Sequence, residues 1–117
     1  MTTLRMARVI ARAVVRIAGG DQRTVLLGED EEGRGYKLVV IQGWSLMERS
    51  FEGLPYAFVR FLDYANGILV CRNGVLSPEF PRGADVEIKR LPPQEELLEA
   101  WKEIGGKIRE EGTGEGG

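Results

Sequence analysis

The sequence predicts an α+β protein in which an antiparallel β-sheet is combined with a short internal helix and a C-terminal helix. Three observations support this class. Short apolar stretches resembling strands recur along the chain, glycine-containing turn signals separate them, and a helical pattern of apolar residues follows two consecutive prolines. With 117 residues, the chain is long enough for one hydrophobic core. If its first segment is a strand, the order also suits an OB-like five-stranded barrel plus a C-terminal helix, and this alternative stays open.

The first segment, residues 4–18, fits both a helix and a strand. In a helix, its arginines recur every three or four residues and form one stripe. In a strand, Arg8, Arg12 and Arg16 share one face, because successive side chains alternate between faces. The periodicity does not decide between the two. Either geometry aligns these arginines, so we expect a basic ladder along one side of the molecule.

The chain then alternates between strands and breaks. Residues 24–27 are expected to form a short strand, residues 28–35 an acidic loop with three glycines, and residues 36–42 a buried strand. Residues 44–51 are expected to form one or two helical turns that end at Gly53. These turns are the short internal helix of the predicted fold.

Residues 56–64 alternate at the period of a strand, and they are the most informative stretch of the chain. One face of the expected strand carries Tyr56, Phe58, Arg60, Leu62 and Tyr64. The pair Asn66-Gly67 is a strong turn signal, so residues 68–72 are expected to return antiparallel as the second strand of a hairpin.

Further turns divide the rest of the chain. Asn73-Gly74 marks a second turn, residues 77–83 form an irregular connection with two prolines, and residues 85–89 form an exposed or edge strand. After two further prolines, apolar residues at helical spacing predict the C-terminal helix: Leu97, Leu98, Trp101, Ile104 and Ile108.

These boundaries define three expected units. Residues 1–91 form a sheet-based binding domain, and residues 92–111 form a C-terminal helix that packs on it or on a partner. Residues 112–117 form a glycine-rich, disordered tail.

Composition argues against catalysis and against a bound metal or cofactor. The chain contains no histidine, so the commonest general base and metal ligand is absent. Cys71 is the single cysteine, and alone it forms neither an internal disulfide nor a metal site. No serine lies in a nucleophile motif. We therefore expect no enzymatic activity and no cofactor.

The residue usage also indicates a source and a location. Asparagine, glutamine and cysteine are scarce and charged residues make up 29% of the chain, as in proteins of hyperthermophiles. No apolar run reaches the roughly 20 residues that span a bilayer. The N-terminus lacks the clean apolar block of a signal peptide. We therefore expect a cytoplasmic protein.

A surplus of aromatic residues beside arginines favours a binding function. Bases of single strands stack on aromatic rings, while arginines hold their phosphates. We interpret the pattern as non-catalytic binding of single-stranded DNA or RNA, with low sequence specificity, in an apolar cleft flanked by arginines. The expected contact residues are Arg8, Arg12, Arg16, Trp44, Phe51, Tyr56, Phe58, Arg60 and Tyr64. The competing interpretation places these aromatic residues in an ordinary core and the arginines on a solvated face.

In layout, residues 4–108 of the chain resemble the ThermoDBP-type single-stranded nucleic-acid-binding proteins of hyperthermophilic archaea. The resemblance lies in the basic N-terminal segment, the aromatic residues 56–72, and the Pro-Pro pair before an acidic, leucine-containing helix. It implies an antiparallel sheet with helices, and an apolar cleft flanked by basic residues. Members of that family can oligomerise through a C-terminal leucine zipper, but Gly105-Gly106 interrupts the apolar pattern here.

A second class of function stays open. The chain could be a protein-interaction or assembly subunit that docks through the apolar face of its C-terminal helix. The same face could form a homodimer, through Leu97, Leu98, Trp101 and Ile104.

Overall fold

The computed structural model describes residues 7–16, 19–41, 44–50 and 53–111, without the side chains of residues 44 and 48–50. Within these residues, eight strands and two helices follow one another in chain order. They are β1 (Arg8–Arg16), β2 (Gln22–Glu29), β3 (Gly35–Ile41), β4 (Trp44–Ser50), α1 (Leu54–Tyr64), β5 (Ile68–Arg72), β6 (Val75–Glu79), β7 (Asp85–Ile88), α2 (Gln94–Glu103) and β8 (Ile108–Glu111). The predicted α+β class is confirmed.

The larger sheet has five antiparallel strands in the order β4-β3-β2-β1-β7. Strands β1 to β4 form a meander, and β7 returns to pair with β1. The first segment, which the periodicity left open, is therefore a strand where it is described. The sheet keeps two edges, at β4 and β7, so it does not close into the OB-like barrel. The edge position expected for residues 85–89 is confirmed.

A smaller sheet, in the order β6-β5-β8, lies at the C-terminal half of the chain. Strands β5 and β6 form an antiparallel hairpin through the predicted turn at Asn73-Gly74, where both residues have positive φ. Strand β8 pairs parallel to β5. Two predictions are wrong here. Residues 77–79 belong to β6, and Ile108 begins a strand because the glycines after Ile104 end the helix.

The internal helix exists, but in another place than predicted. Residues 44–50 form edge strand β4, which hydrogen-bonds along the whole of β3. Residues 56–64 lie in α1 instead of a strand. Phe58, Phe61, Leu62 and Ala65 recur at the three- and four-residue spacing of a helix face and are all fully buried. Pro55 in the first turn also favours a helix start. Helical spacing therefore prevails over the apparent alternation.

The pair Asn66-Gly67 ends α1 and does not turn a hairpin. Asn66 adopts a left-handed backbone conformation, with φ of 60°. The Gly67 N–H donates to the carbonyl oxygen of Leu62 at 2.7 Å, which satisfies the last turn of the helix. The sequence signal correctly indicates a positive φ, but a helix end uses that conformation as readily as a hairpin does.

The core lies between the larger sheet and the two helices. Helix α1 packs on one face of β2, β3 and β4, and α2 packs against α1. Gly35 makes the close approach possible, because a Cβ at this position would lie 2.6 Å from the Cβ of Ala57. We call the sheet face under α1 the inner face and the opposite face the outer face.

Candidate functional site

The predicted aromatic platform is not assembled, because its residues are distributed around a helix. Phe58 is fully buried in the core, with its ring centroid 5.9 Å from that of Phe61. Tyr56 donates a hydrogen bond from its hydroxyl to Oε2 of Glu103 on α2, at 2.8 Å. Arg60 is exposed, and Tyr64 is half-buried at the C-terminal end of α1. Phe58 is therefore a core residue and not a stacking surface.

The predicted basic ladder is broken by a β-bulge in β1. Arg8 pairs with Glu29, but the register then shifts between Val9 and Ala11, so that Arg12 pairs with Leu26. Residues directly opposite each other share a face, and the extra residue of a bulge reverses the alternation. Arg8 therefore lies on the inner face, whereas Arg12 and Arg16 lie on the outer face.

Two of the three ladder arginines are paired with carboxylates. The Nε of Arg8 donates to Glu29 at 2.9 Å, and Arg12 lies 3.3 Å from Oδ2 of Asp85 on β7. Arg16 is exposed at the end of β1. The pairing of Arg12 reduces the positive charge that this edge presents to a ligand.

Glu29 forms a buried ionic cluster at the end of β2. Its side chain is 5% exposed, and its two oxygens accept hydrogen bonds from Arg8 and, at 2.6 Å, from Nη2 of Arg90. Burial raises the pKa of Glu29, but the hydrogen bonds and charges of Arg90 and Arg8 outweigh this effect and lower the pKa below its usual value. The cluster joins β1, β2 and the segment after β7, which is a structural role.

On the inner face, Arg23 from the opposite end of β2 and Lys37 of β3, whose backbone pairs with Leu27, approach one aromatic ring, and we call this group the cation corner. It consists of Arg23, Lys37 and Tyr64. The guanidinium carbon of Arg23 lies 4.9 Å from the Tyr64 ring centroid, and the Lys37 Nζ lies 4.4 Å from it. Both distances allow cation–π attraction. Lys37 is buried, and its backbone register places it opposite Glu48 of β4.

The Arg23 guanidinium is incompletely satisfied. Its Nε and Nη2 atoms are shielded from solvent and have no hydrogen-bond partner among the described residues. Buried polar groups are normally hydrogen-bonded, so such a pair of unmet donors is unusual.

The outer face of the larger sheet carries an aliphatic patch that no described helix covers, with the half-buried Thr24 between Val14 and Val40 and charged residues along the β1–β7 edge. Its centre is formed by five half-buried aliphatic side chains from β1 to β4, which we call the open face: Val14, Leu26, Leu38, Val40 and Met47. Direct cross-strand pairing joins Leu26 to Leu38 and Leu38 to Met47. These residues are not part of the core cluster, and α1 is the one described helix that packs extensively on this sheet, from the other side.

Apolar residues on both faces are unusual for an antiparallel sheet of this kind. When such a sheet has one solvated face, its strands usually alternate between apolar and polar residues. Here β2 and β3 carry Val25 and Val39 inside and Leu26 and Leu38 outside. The consecutive apolar residues of β3 are typical of a strand buried on both sides, and the described helix α1 packs on one of those sides.

Two further predicted contact residues, Trp44 and Phe51, belong to the segment around β4. Trp44 begins this strand, where its backbone pairs with Ile41 of β3. Phe51 lies outside the described residues.

The apolar face of α2 is used within the chain. Leu97 and Trp101 are buried in the core, and Ile104 packs partly against it. The indole N–H of Trp101 donates to the carbonyl oxygen of Lys107 at 2.8 Å. Leu98 instead borders a groove of about 350 Å³ between α2 and the smaller sheet, together with Cys71, Leu76 and Ile108. The expected dimer face is therefore divided between core and groove.

Sequence reasoning missed the buried Glu29, the cation corner and the open face. Glu29 lay in a stretch expected to be a solvated loop, and Arg23 and Lys37 carry no local signal. The open face had a signal, since Leu38, Val39, Val40 and Ile41 are consecutive apolar residues.

The described residues contain no group of side chains suited to hold a metal ion. No helix in the same residues is long and apolar enough to cross a membrane. Comparison of the chain with protein-family models, curated proteins and solved structures finds no match. The geometry of the described residues is therefore the basis for a functional proposal.

Proposed function

We propose that this protein is an assembly subunit that associates with a second copy of itself through the open face. One observation carries the proposal: the central strands are apolar on both faces, and α1 covers only one of them. Removing exposed apolar area from water is the dominant favourable term in association. A contiguous apolar surface is a typical mark of an interaction site.

A second copy fits the open face better than a polyanion does. Along the β1–β7 edge, Arg12 is paired with Asp85 and lies opposite Glu87. A two-fold interface brings the same patch of both copies together, so it needs a surface that complements itself. An apolar centre with a margin of mixed charge meets this requirement, whereas the acidic side chains of β7 repel a nucleic acid.

The size of the face suits a modest interface. Counted over the whole outer face, with the charged margin of β7 included, five strands at about 4.8 Å spacing and about seven residues of 3.4 Å rise give a projected area of roughly 550 Å² on each copy. Two such faces approach the lower limit of about 1,200 Å² for specific interfaces, since accessible area exceeds projected area. We therefore expect a dimer of moderate affinity.

The test is the oligomeric state, measured by sedimentation velocity over a range of protein concentrations. Wild-type protein should dimerise, and the double variant Leu38→Lys/Val40→Asp should remain monomeric and folded. The control is Val75→Asp, which places a charge at a valine that is 57% exposed on the smaller sheet. It should leave the dimer intact. A wild-type monomer at all concentrations would contradict the proposal, as would a dimer that survives the double variant.

Single-stranded nucleic-acid binding is a second candidate, favoured by a different observation. Arg12 and Arg16 lie on the same outer face as the aliphatic patch, and Arg16 is exposed opposite the polar Gln22. Backbone phosphates could follow this edge. The support is weaker than for self-association, because Phe58 is buried and Arg12 already has a carboxylate partner.

Fluorescence anisotropy with a labelled thymine oligonucleotide, at two salt concentrations, tests this candidate. The double variant Arg12→Gln/Arg16→Gln should flatten the salt dependence by about 0.7 for each phosphate contact that is lost. Arg82→Gln is the control, because Arg82 is exposed and lies outside the larger sheet. Absence of binding at low salt, or equal effects of all three arginines, would reject binding on this face.

A further inference from the structure

We infer that Nε and Nη2 of the Arg23 guanidinium form a binding site for an oxyanion, either a carboxylate or a phosphate. The site is independent of the open face, because Arg23 lies on the inner face, between Val15 and Ile41 in the sheet.

The unmet donors have the geometry of a binding fork. Nε and Nη2 of Arg23 are both shielded, and both lack a partner among the described residues. Together they form the side of the guanidinium that points two parallel N–H bonds in one direction. This arrangement matches two oxygens of a carboxylate or a phosphate. The missing contacts are thus one complete bidentate edge and not two scattered atoms.

Other arginines of this chain use the same edge to bind carboxylates. In Arg34, Nε donates to Asp30 and Nη2 to Glu32, both at 2.8 Å. In Arg72, Nε donates to Glu111 at 2.7 Å and Nη2 donates to Glu79. In both cases the fork is satisfied by two oxygens. Arg23 presents the same chemistry without an acceptor among the described residues.

An aromatic ring of α1 lies beside the Arg23 guanidinium and helps to hold it in place. The Tyr64 ring lies against its face at 4.9 Å, and the Lys37 Nζ approaches the same ring at 4.4 Å. No carboxylate of the described residues forms an ion pair with Arg23. Because the unmet donors are desolvated, an acceptor that reaches them gains a charge-assisted hydrogen bond at a low local dielectric. Access requires the side chains around the guanidinium to move apart.

The experiment follows the Arg23 Nε–H resonance by ¹H–¹⁵N NMR. The protein is titrated with sodium phosphate and, separately, with sodium acetate, at constant ionic strength held by sodium chloride. Saturable movement of the Arg23 resonance with either anion supports the site, and the effective anion identifies phosphate or carboxylate as the ligand. Movement no greater than in chloride alone, for both anions, would overturn the inference.

A pair of variants tests whether anion binding needs the two parallel N–H donors of Arg23 or only its positive charge. Arg23→Lys keeps the positive charge but removes the bidentate edge, so the thermal stabilisation by the effective anion should disappear. Arg16→Lys is the control, since Arg16 is exposed on the outer face, and it should retain the wild-type response. Equal stabilisation of both variants would overturn the site. If Arg23→Lys does not fold, the wild-type titration decides alone.

Discussion

Strand β2 carries a charged side chain at each end of its inner face, and the fold treats the two ends differently. At one end, the Glu29 carboxylate is buried and accepts hydrogen bonds from Arg8 and Arg90. At the other end, the Arg23 guanidinium has two shielded donors without an acceptor among the described residues, and its carbon lies 4.9 Å from the centroid of the Tyr64 ring.

The difference shows at which end of β2 other residues of the chain compensate the buried charge. Burying a charge is costly unless opposite charges and hydrogen bonds accompany it. Segments distant in sequence bring both guanidinium groups to Glu29, so that end is finished as a structural cluster. No described residue does the same for Arg23, so that end keeps two hydrogen-bond donors that an external acceptor could satisfy. Four substitutions probe the comparison, in order of decreasing expected effect.

The largest effect is expected from Phe58→Ala, which weakens the packing of α1 on the inner face that carries both ends of β2. Phe58 is fully buried in α1, the helix that covers the inner face. Truncation should lower the free energy of unfolding by about 3–5 kcal/mol, measured by denaturant titration. An unchanged stability would mean that Phe58 lies in an open cleft, as the sequence first indicated.

The next effect is expected at the finished end. Glu29→Gln removes a buried charge that two arginines require, and should cost about 1.5–3 kcal/mol of unfolding free energy. The matched variant Glu87→Gln alters an exposed glutamate of β7 and should have little effect. If the two variants lose the same stability, Glu29 is not the structural anchor of this end.

The same variant should change the acid dependence of stability. The folded-state pKa of Glu29 is lowered, so its ionised form is favoured by folding. Its contribution is present above the pKa of an unfolded glutamate, and is lost as the pH falls through the lower folded-state pKa. Wild-type protein should therefore approach the stability of Glu29→Gln in acid. A gap that stays constant with pH would contradict this assignment.

A smaller loss is expected from Gly35→Ala, which disturbs the sheet beside Glu29. The new Cβ would lie 2.6 Å from the Cβ of Ala57 and 3.3 Å from the carbonyl oxygen of Gly53. Such overpacking costs about 1–3 kcal/mol. The double variant Gly35→Ala/Ala57→Gly relieves the closest contact, and should recover part of the lost melting temperature. Because glycine within α1 is itself unfavourable by about 1 kcal/mol, the double variant is compared with the sum of the two single variants, and strictly additive losses would show that the backbone contact, and not Ala57, limits the approach.

The smallest effect, and one of opposite sign, is expected at the unfinished end. Arg23→Met keeps much of the side-chain volume and removes the unmet donors. Their desolvation costs about 1–3 kcal/mol, against about 0.5–1 kcal/mol for the lost cation–π contact. The variant should therefore be stabilised by roughly 1 kcal/mol in the absence of oxyanions. The matched variant Arg8→Met should be destabilised, and equal losses in both would remove the distinction between the ends.

Much of the fold followed from local sequence patterns, and the errors have a common cause. The strand expected at residues 36–42 is confirmed as far as residue 41, and the strand at 68–72, the turn at Asn73-Gly74 and the start of α2 are confirmed as well; all of them rest on periodicity or turn chemistry. Residues 56–64 fit both the two-residue period of a strand and the 3.6-residue period of a helix, because most of them are aromatic or aliphatic. Only packing on the sheet separates a helix face from a strand face in such a stretch.

The candidate site was less predictable, because it depends on register. The spacing of Arg8, Arg12 and Arg16 indicates one face in any regular element, and a single bulge in β1 divides them between two faces. Phe58 was expected at a ligand and lies in the core instead. The consecutive apolar residues of β3, which form part of the open face, are visible in the sequence. The side of the sheet that α1 covers is not.

The sequence alone determined the α+β class, the hairpin turn at Asn73-Gly74 and the strand character of residues 36–41 and 68–72. These properties are set by neighbouring residues, through backbone preferences and side-chain alternation. Only the tertiary structure decided which face α1 covers, and that Glu29 receives two guanidinium groups while Arg23 receives no carboxylate from the described residues. These outcomes depend on contacts between segments more than 20 residues apart, such as Arg8 with Glu29 and Arg90 with Glu29. Such contacts exist only once the strands have paired in a definite register, which local spacing does not encode.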